Sequence, residues 1–311
     1  MKGASTKGIA LINALIVVAA ISSISVALLV RAEDSRQRSA LNQHLFQTDR
    51  YLDATELLVR TTLDHLDPEL IYLGQDWARE RINEPIDMGS TGWLVQDLQG
   101  RFNINWMISD DDEAARAGAA FYRLLQAEGF ASDQVELLME AFSPVGKGRE
   151  APSRSGGGWD TIRYPALPLR SVRELGLIAG IDEADVVRLE QVAAALPRET
   201  ALNINTVVPS VLVALFPETS LSFLTELQKR QEEDPFEDIG SFLEMTETFM
   251  EDQKVDSFFI PGMSTSSDWF WAEISADLGA VSRNRTLILH RSIEDSRTAV
   301  MVSIAEVLRQ R

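Results

Sequence analysis

No cysteine occurs among the 311 residues, and histidine is confined to His44, His65 and His290. The absence of cysteine excludes thiol catalysis, zinc–thiolate sites and disulfide bonds. The three histidines are scattered and show no metal-ligand spacing, so we expect each of them to lie at the surface or in a satisfied hydrogen bond. The chain is long enough for one large domain or two smaller ones, each with its own core.

Positive charge is scarce as well. The chain has 29 Lys and Arg against 47 Asp and Glu, a formal net charge of -18, which repels nucleic acid and anionic lipid. Sequence motifs of catalysis are also missing, since no G-x-S-x-G, Walker, H-E-x-x-H or dinucleotide-binding fingerprint occurs. Because 47 acidic residues form carboxylate pairs by chance, no pair indicates a catalytic dyad. We therefore expect neither an enzyme nor a bound cofactor.

One long apolar run lies near the N-terminus. Residues 9–30 carry no formal charge, and as a helix they span about 33 Å at ~1.5 Å per residue, enough to cross a bilayer. A cleaved signal peptide has a shorter apolar core followed by a small-residue cleavage site, and no such site follows here. Because Lys and Arg flank the run on both sides, charge leaves its orientation open. Residues 9–30 are therefore predicted to form a transmembrane helix.

The helical pattern continues beyond the apolar run. Apolar and threonine residues recur at spacings of three and four until Asp67-Pro68, which ends the pattern. They are Leu41, Leu45, Thr48, Leu52, Thr55, Val59, Leu63 and Leu66. The sequence therefore predicts one helix over 9–66, and its stripe has to pack against something. Within the stripe we assign Leu41, Leu45, Leu52 and Val59 to an interface with a partner helix.

The N-terminal region resembles type IV pilins and type II secretion pseudopilins. In both, a short basic leader ends in glycine, here residues 1–8 with Gly8, and a hydrophobic helix follows. The resemblance implies that a prepilin peptidase cuts after Gly8 and methylates the new N-terminus at Ile9. Mature position five is normally Glu in these proteins, whereas here it is Asn13.

The missing glutamate is informative about position in a filament. In the family, that Glu neutralises the terminal amine of the subunit assembled before it, and an unpaired buried charge costs several kcal/mol. The first subunit, at the tip, has no subunit ahead of it and therefore tolerates the loss of this glutamate. Asn13 therefore makes the chain similar to the minor pseudopilin class called type II secretion system protein K.

Strand patterns occur on both sides of a long helical region. "GWLVQDLQGRFNINWM" (92–107) predicts a strand, a turn at 97–100 and a second extended piece. Three β-rich runs at 268–278, 284–292 and 297–305 close the chain. Four aromatic residues, Trp269, Trp271, Phe258 and Phe259, form either an exposed docking patch or part of the core, and we predict the core. Strand alternation places Trp269 and Trp271 on one face, which we assign to the face against the N-terminal helix.

The resemblance implies an α+β fold. A transmembrane and amphipathic N-terminal helix packs on an antiparallel pilin-type sheet, into which a large α-helical domain is inserted. The predicted helices 112–128 and 132–142 are followed by a turn-rich linker at 143–160 and by helix–hairpin–helix-like units in 171–197 and 203–245. The implied parts are the leader 1–8, the helix 9–66, the first part of the sheet domain 67–109, the inserted domain 110–262 and the C-terminal strands 263–311.

The acidic run Asp110, Asp111, Asp112 and Glu113 allows two interpretations. Its oxygens suit calcium, but acids also favour the first turn of a helix, and we predict the helix cap. Protein K relatives bind calcium near an acidic motif in the inserted domain. This chain has "MEAFSPVGKGREAPSRSGGGWDTIRYP" in the corresponding place, so we assign no calcium ligands.

The helix–hairpin–helix likeness suggests an alternative function, a membrane-anchored DNA receptor of the competence type. Such hairpins use glycines to bring backbone amides to a phosphate, whereas this chain reads "FPETSLS" there. Residues 226–256 also hold eleven acids against Lys229, Arg230 and Lys254, which disfavours phosphate. We therefore expect no nucleic-acid partner.

The resemblance also implies partners and a location. The partners are other minor pseudopilins, of the I and J classes, and the prepilin peptidase. The chain would sit in the bacterial inner membrane by a single pass, with its bulk in the periplasm. After processing it would cap the pseudopilus tip and support protein export across the outer membrane.

Overall fold

The structure is a computed structural model that describes residues 5–109, 111–142, 168–179, 181–249, 262–279, 281–292 and 297–307. The predicted linker 143–160 and the predicted core residues Phe258 and Phe259 lie outside these ranges. So do residues 1–4 of the leader.

Helices make up the N-terminal arm and the middle of the chain. They are α1 (Ser5–Asp64), α2 (Asp112–Ala127), α3 (Ser132–Ala141), α4 (Arg173–Ala179), α5 (Glu183–Val192), α6 (Pro209–Leu215), α7 (Leu221–Glu233) and α8 (Ile239–Phe249), with short 3-10 helices at Asp76–Ala78 and Ile104–Met107. The single long helix and the helix pair at 112–142 agree with the sequence predictions. The α+β fold class is confirmed.

The strands lie on either side of the helical middle and within it. They are β1 (Arg81–Ile86), β2 (Gly89–Asp97), β3 (Phe102–Asn103), β4 (Ala193–Ala194), β5 (Leu202–Asn203), β6 (Met263–Ser264), β7 (Trp269–Asp277), β8 (Ser282–Ser292) and β9 (Arg297–Val307). Five of them form one antiparallel sheet in the order β1-β2-β7-β8-β9. The three predicted C-terminal strands are confirmed. The helical insert connects β2 to β7, which are neighbours in this sheet.

The extended piece predicted after the turn at 97–100 is mostly wrong. Only Phe102 and Asn103 are extended, and Ile104–Met107 form a 3-10 helix. The cause is a side-chain cap, because the Asn103 carboxamide oxygen accepts a hydrogen bond from the Asn105 backbone N–H at 3.1 Å. Such a local bond competes with strand pairing.

The C-terminal half of α1 packs against one face of the sheet, here called the inner face. Leu52, Val59 and Leu63 are at most 1% exposed, and they share a core with Phe270 of β7 and Leu289 of β8. Each fully buried side chain of this size contributes roughly 1.5–3 kcal/mol. The predicted stripe therefore finds its packing partner within the chain.

Polar contacts between α1 and β8 fix their register. Arg283 pairs with Asp49, and Arg285 pairs with Asp53 at 3.0 Å and with Glu56 at 2.8 Å. Further along, the buried Arg291 donates to the carbonyl oxygens of Leu63 at 3.3 Å and Leu66 at 3.1 Å. Because residue numbers rise together on both elements, β8 runs parallel to α1. The apolar arm of α1 therefore extends beyond the Arg283 end of the sheet.

The prediction that Trp269 and Trp271 face α1 is wrong. In β7 the buried residues are Phe270, Ala272, Ile274 and Ala276, so the two tryptophans lie on the opposite, outer face. The even-numbered residues are apolar along the whole strand, whereas the odd-numbered set continues into Glu273 and Ser275. Consistent apolarity decides the buried face, and two large side chains at one end do not.

The insert contains two similar asparagine clamps about one hundred residues apart. In "FNIN" (102–105) the Asn105 side chain accepts from the backbone N–H of Leu169 at 2.8 Å and donates to its carbonyl at 2.9 Å. In "LNIN" (202–205) the Asn205 side chain makes the same two bonds to Phe236, both at 2.9 Å. Each clamp holds the chain before a helix, α4 in one case and α8 in the other. The insert is therefore built from two units that use the same local device.

A buried carboxylate ties the insert to the sheet. Asp97, at the end of β2, accepts hydrogen bonds from the Gln99 N–H at 2.8 Å, Asn203 at 3.1 Å, and the hydroxyls of Thr206 and Ser267 at 2.5 Å each. Burial raises the pKa of Asp97, although the four hydrogen bonds act in the opposite direction. Donors from both ends of the insert thus converge on one side chain.

Gly100 permits this junction to close. A Cβ added there would lie 2.2 Å from the carbonyl oxygen of Thr206, far inside any allowed contact. The Gly100 carbonyl in turn accepts from the Val208 N–H at 2.8 Å. Only glycine lets the two backbone segments approach this closely.

The packing of α1 can be tested with two leucines of the same helix. Leu52 is 1% exposed and Leu57 is 62% exposed. We expect Leu52→Asp to lower the free energy of unfolding by roughly 3–5 kcal/mol, because it buries an unpaired charge. Leu57→Asp should change it by less than about 0.5 kcal/mol. Urea denaturation of a soluble fragment, residues 31–311, measures both, and equal losses would contradict the packing described here.

The junction can be tested with Asp97→Asn, which preserves shape but replaces one acceptor oxygen by a donor. Both oxygens of Asp97 accept hydrogen bonds, so in either orientation the NH2 group of the new amide faces a donor group of the protein. We expect the free energy of unfolding of the same fragment to fall by about 1–3 kcal/mol. Asp87→Asn, at the exposed β1–β2 turn, is the matched control and should have no measurable effect. If Asp97→Asn left the free energy of unfolding unchanged, the junction would not depend on this carboxylate.

Candidate functional site

The apolar arm of α1 is the first part of the candidate site. Among the described residues, the helix from Leu11 onward is the one segment long and apolar enough to cross a membrane, and none of its most apolar window is buried. Large side chains such as Leu15 and Leu29 are 62% and 71% exposed. A free apolar helix of this length is typical of a single-pass membrane anchor.

Gly8, Ile9 and Asn13 all lie within α1. The helical backbone is continuous through Gly8 and Ile9, and Asn13 is exposed on the arm. Cleavage between Gly8 and Ile9 and the filament role of Asn13 stay predictions, because neither is a geometric property of the folded chain.

The predicted partner-helix interface divides into two parts. Leu52 and Val59 are each 1% exposed beneath the chain's own sheet. They are therefore not accessible to a partner helix. The physical reason is that the sheet satisfies the stripe from Leu52 onward. Leu41 is 45% exposed and Leu45 is partly exposed, and both stay predictions for contact with a partner.

Further exposed apolar residues on α1 escaped the sequence analysis. Phe46 and Leu57 are 60% and 62% exposed. They are eleven residues apart, close to three helical turns, and therefore lie on one side of the helix. Leu58 is also 48% exposed. The signal was present in the sequence as a second, sparser spacing beside the stronger stripe.

The acidic run before α2 serves as a helix cap, as predicted. Asp111 accepts a hydrogen bond from the Ala114 N–H at 2.8 Å. Its carboxylate also accepts from Ser109 at 2.7 Å and contacts Arg198 at 2.5 Å. The Ser109 and Ala114 hydrogen bonds lead the causes that lower the pKa of Asp111 to about 2. Asp110 lies outside the described residues.

No group of three or more acidic or histidine side chains is placed to hold a metal ion within the described ranges. The stretch that corresponds to the calcium-binding motif of relatives lies largely in 143–167, outside those ranges. The absence of an assigned calcium ligand therefore stays a prediction.

The surface between α7 and α8 is strongly acidic. The exposed residues of this patch are Glu232, Glu233, Asp234, Glu237 and Asp238. Such a patch repels phosphate rather than releasing counterions from it. The geometry of the second helix–hairpin–helix-like region therefore gives no support to the DNA-receptor alternative.

The insert and the apolar arm lie at opposite ends of the sheet. The insert begins after Asp97 of β2 and ends before Trp269 of β7. In the sheet, Asp97 pairs with Phe270 and Trp269 pairs with His290. That end is where Arg291 meets the C-terminus of α1. The arm extends from the other end, beside Arg283 and Asp49. The apolar arm therefore extends from one end of the sheet, and the helical insert lies at the other.

Comparisons with known proteins agree with one another. Residues 100–198 match the family model of the type II secretion system (T2SS), protein K. Type II secretion system protein K of Klebsiella pneumoniae is 27% identical over 305 residues, 92% of each chain. The protein of the same name from Pseudomonas aeruginosa is 28% identical over 226 residues, 67% of this chain and 68% of that relative.

A solved structure shares the fold. The crystal structure of the GspK-GspI-GspJ complex from the enterotoxigenic Escherichia coli type 2 secretion system aligns with a TM-score of 0.67 and 20% identity, over 86% of this chain and 99% of that one. The predicted resemblance is confirmed by the family model and the relatives, and the fold likeness is consistent with them. The chain is therefore similar to type II secretion system protein K over most of its length.

Proposed function

We propose that this protein caps the tip of the pseudopilus together with other minor pseudopilins, of the I and J classes, and so supports protein export across the outer membrane. The role is structural rather than catalytic. The observation that carries the proposal is the placement of the helical insert at the end of the sheet opposite the apolar arm.

That placement bears directly on filament geometry. If the arm is held in the inner membrane with the sheet in the periplasm, the insert becomes the most distal part of the subunit. Two helical units then occupy the space in which a following subunit would stack. A subunit of this shape fits the end of a filament better than its middle.

Asn13 supports the same position. A subunit inside the filament needs a charge at mature position five to neutralise a neighbour's amine, because an unpaired charge in an apolar environment is costly. Asn13 offers no such charge, and residues 9–30 contain no other charged group. The first subunit of a filament has no distal neighbour and therefore does not need a charge at this position.

The exposed residues of α1 supply a contact surface for the partners. Phe46 and Leu57 are 60% and 62% exposed on one side of the C-terminal half of α1, and Leu41, 45% exposed, lies in line with the apolar stripe. Exposed apolar groups of this size favour burial against another helix. The solved relative is named as a complex of three chains, and we propose a corresponding one-to-one-to-one complex here.

Processing is the first test of this function. With its prepilin peptidase present, the mature chain should begin at Ile9 and carry an N-methyl group. Gly8→Val should leave the leader attached, because a side chain at the cleaved position blocks the peptidase. Intact-mass analysis of full-length protein from the membrane measures both, and Gly3→Val, within the same leader, is the matched control that should still be cut. A mature chain that keeps Met1, or one cut after about residue 30, would overturn the assignment.

Assembly is the second test. The fragment of residues 31–311 should form a one-to-one-to-one complex with its two partners in native mass spectrometry. Leu57→Asp should weaken this complex by at least about tenfold, because it places a charge in an apolar contact. Leu221→Asp, at an 81% exposed leucine of α7, should leave it unchanged.

The same complex should occur once per filament and at one end. Immunogold labelling of the protein on assembled filaments measures the position. Labels along the whole filament length would exclude the tip role even if the complex forms. A complex that Leu57→Asp leaves intact would show that the partners use another surface.

A further inference from the structure

Within the part of the chain that the structure describes, a second surface is uncovered, on the outer face of the sheet. A groove with a volume of about 1030 Å³ runs between this face and the helical insert. One wall comes from β7, β8 and β9, and the other comes from the segments around α4, α5 and β4. The outer-face residues of the groove are Trp269, Trp271, Ile288, Met301 and Val302. This groove lies on the opposite side of the sheet from α1, whose exposed residues carry the proposed function.

The lining of the groove is apolar and open to solvent. On the wall that the insert supplies, Leu177 of α4 is 88% exposed. On the sheet wall, Met301 and Val302 of β9 are 55% and 39% exposed. Trp271 and Leu98 lie between them, partly or fully buried. Covering such side chains is favourable at roughly 25 cal/mol per Å² of apolar surface. Contiguous exposed apolar groups of this kind mark binding grooves.

The β9 edge beside the groove is also free. Within the described part of the chain, β9 pairs with β8 on one side and is the last strand of the sheet. Every residue from Met301 to Ala305 is exposed. An unpaired edge of this kind accepts an added strand through its backbone N–H and C=O groups. The occupant that fits both features is an extended segment rather than a globular surface.

The charge in the groove wall indicates what that segment carries. Arg101 is only 7% exposed and donates to two neutral oxygens, the Glu190 carbonyl and the Gln96 side chain, both at 2.5 Å. Two acids, Glu174 and Glu190, line the same groove. Glu174 accepts from the Arg170 backbone N–H at 3.1 Å, and the Glu190 carboxylate accepts from Arg173 at 2.9 and 3.0 Å. Asp97, which holds the junction, is also engaged. Desolvation lowers the pKa of Arg101 to about 10, against the attraction of both acids.

This cation stands out in a chain with a net charge of -18. A second cation, Arg170, also lines the groove. A carboxylate next to Arg101 would complement a charge that the protein itself leaves without a direct acidic contact in the described residues. Complementary charge of this kind selects one partner over others more than it adds affinity.

We propose that the groove binds an extended segment of another protein, with apolar side chains that cover Leu177 and Trp271 and a carboxylate that faces Arg101. The segment lies along the edge of β9 and enters between the sheet and the insert. Because α1 and the groove are on opposite faces of the sheet, this contact is separate from the tip complex and can form or fail independently of it.

Site-specific cross-linking identifies the occupant. A photoreactive p-benzoylphenylalanine replaces Leu177 in the full-length chain, in cells that carry its secretion system, and the cross-linked peptide is sequenced by mass spectrometry. We expect one peptide of another protein, apolar and with an acidic residue or C-terminal carboxylate. The same photoreactive residue at Leu221, which is similarly exposed on α7, is the control. Cross-links to residues 143–167 of the same chain, to a second copy, to a peptide without an acid, or no more than at Leu221 would overturn the proposal.

A pair of opposite charges then tests the chemistry. The synthetic form of the cross-linked peptide is titrated against the full-length chain in detergent by fluorescence anisotropy. Leu177→Lys should weaken binding by about tenfold through the lost apolar contact, and Leu177→Glu should weaken it by about threefold more through repulsion of the carboxylate. The Lys and Glu variants of Leu221 should match the parent chain. Equal effects of Lys and Glu at Leu177 would overturn the charge assignment, and no effect of either would overturn the groove as the site.

Discussion

The packing of the C-terminal half of α1 against the inner face of the sheet is the contact on which the rest of the structure depends. Its apolar centre, Leu52, Val59 and Leu63 against Phe270 and Leu289, supplies the driving force. An apolar contact alone tolerates sliding, so the flanking pairs of Arg283 and Arg285 with acids of α1 set the register. Partly exposed ion pairs of this kind contribute little stability, and their role here is to align two long elements.

That alignment gives the molecule its polarity. Once β8 runs parallel to α1, the apolar arm can only extend from one end of the sheet and the insert can only leave from the other. The Asp97 junction then holds the insert in place, because donors from residues 99, 203, 206 and 267 meet at one carboxylate. Two faces remain for contacts, the exposed side of α1 and the groove on the outer face. Their separation would let one subunit engage the proposed tip partners and the proposed extended segment at once.

The two asparagine clamps show how a helical insert of this size is organised with few long elements. Helices of seven to sixteen residues are marginal by themselves and depend on tertiary contacts. Asn105 and Asn205 each satisfy both backbone groups of one residue ahead of a helix. This anchors α4 and α8 at their starting points. The repeated N-x-N motif is visible in the sequence. The sequence does not reveal that the second asparagine of each copy makes the same pair of backbone hydrogen bonds.

Local periodicity in the sequence determined most of the helices and strands. The spacing of three and four predicted α1, the charge-free run predicted its membrane arm, and alternation predicted the strands after residue 268, because these patterns depend on residues close in sequence. Long-range packing was different. Tertiary structure alone decided that Leu52 and Val59 are covered by the chain's own sheet, since an apolar stripe fits any apolar surface. It also brought Asp97 to donors more than one hundred residues away and left Arg101 in an open groove, because both depend on where distant segments meet in space.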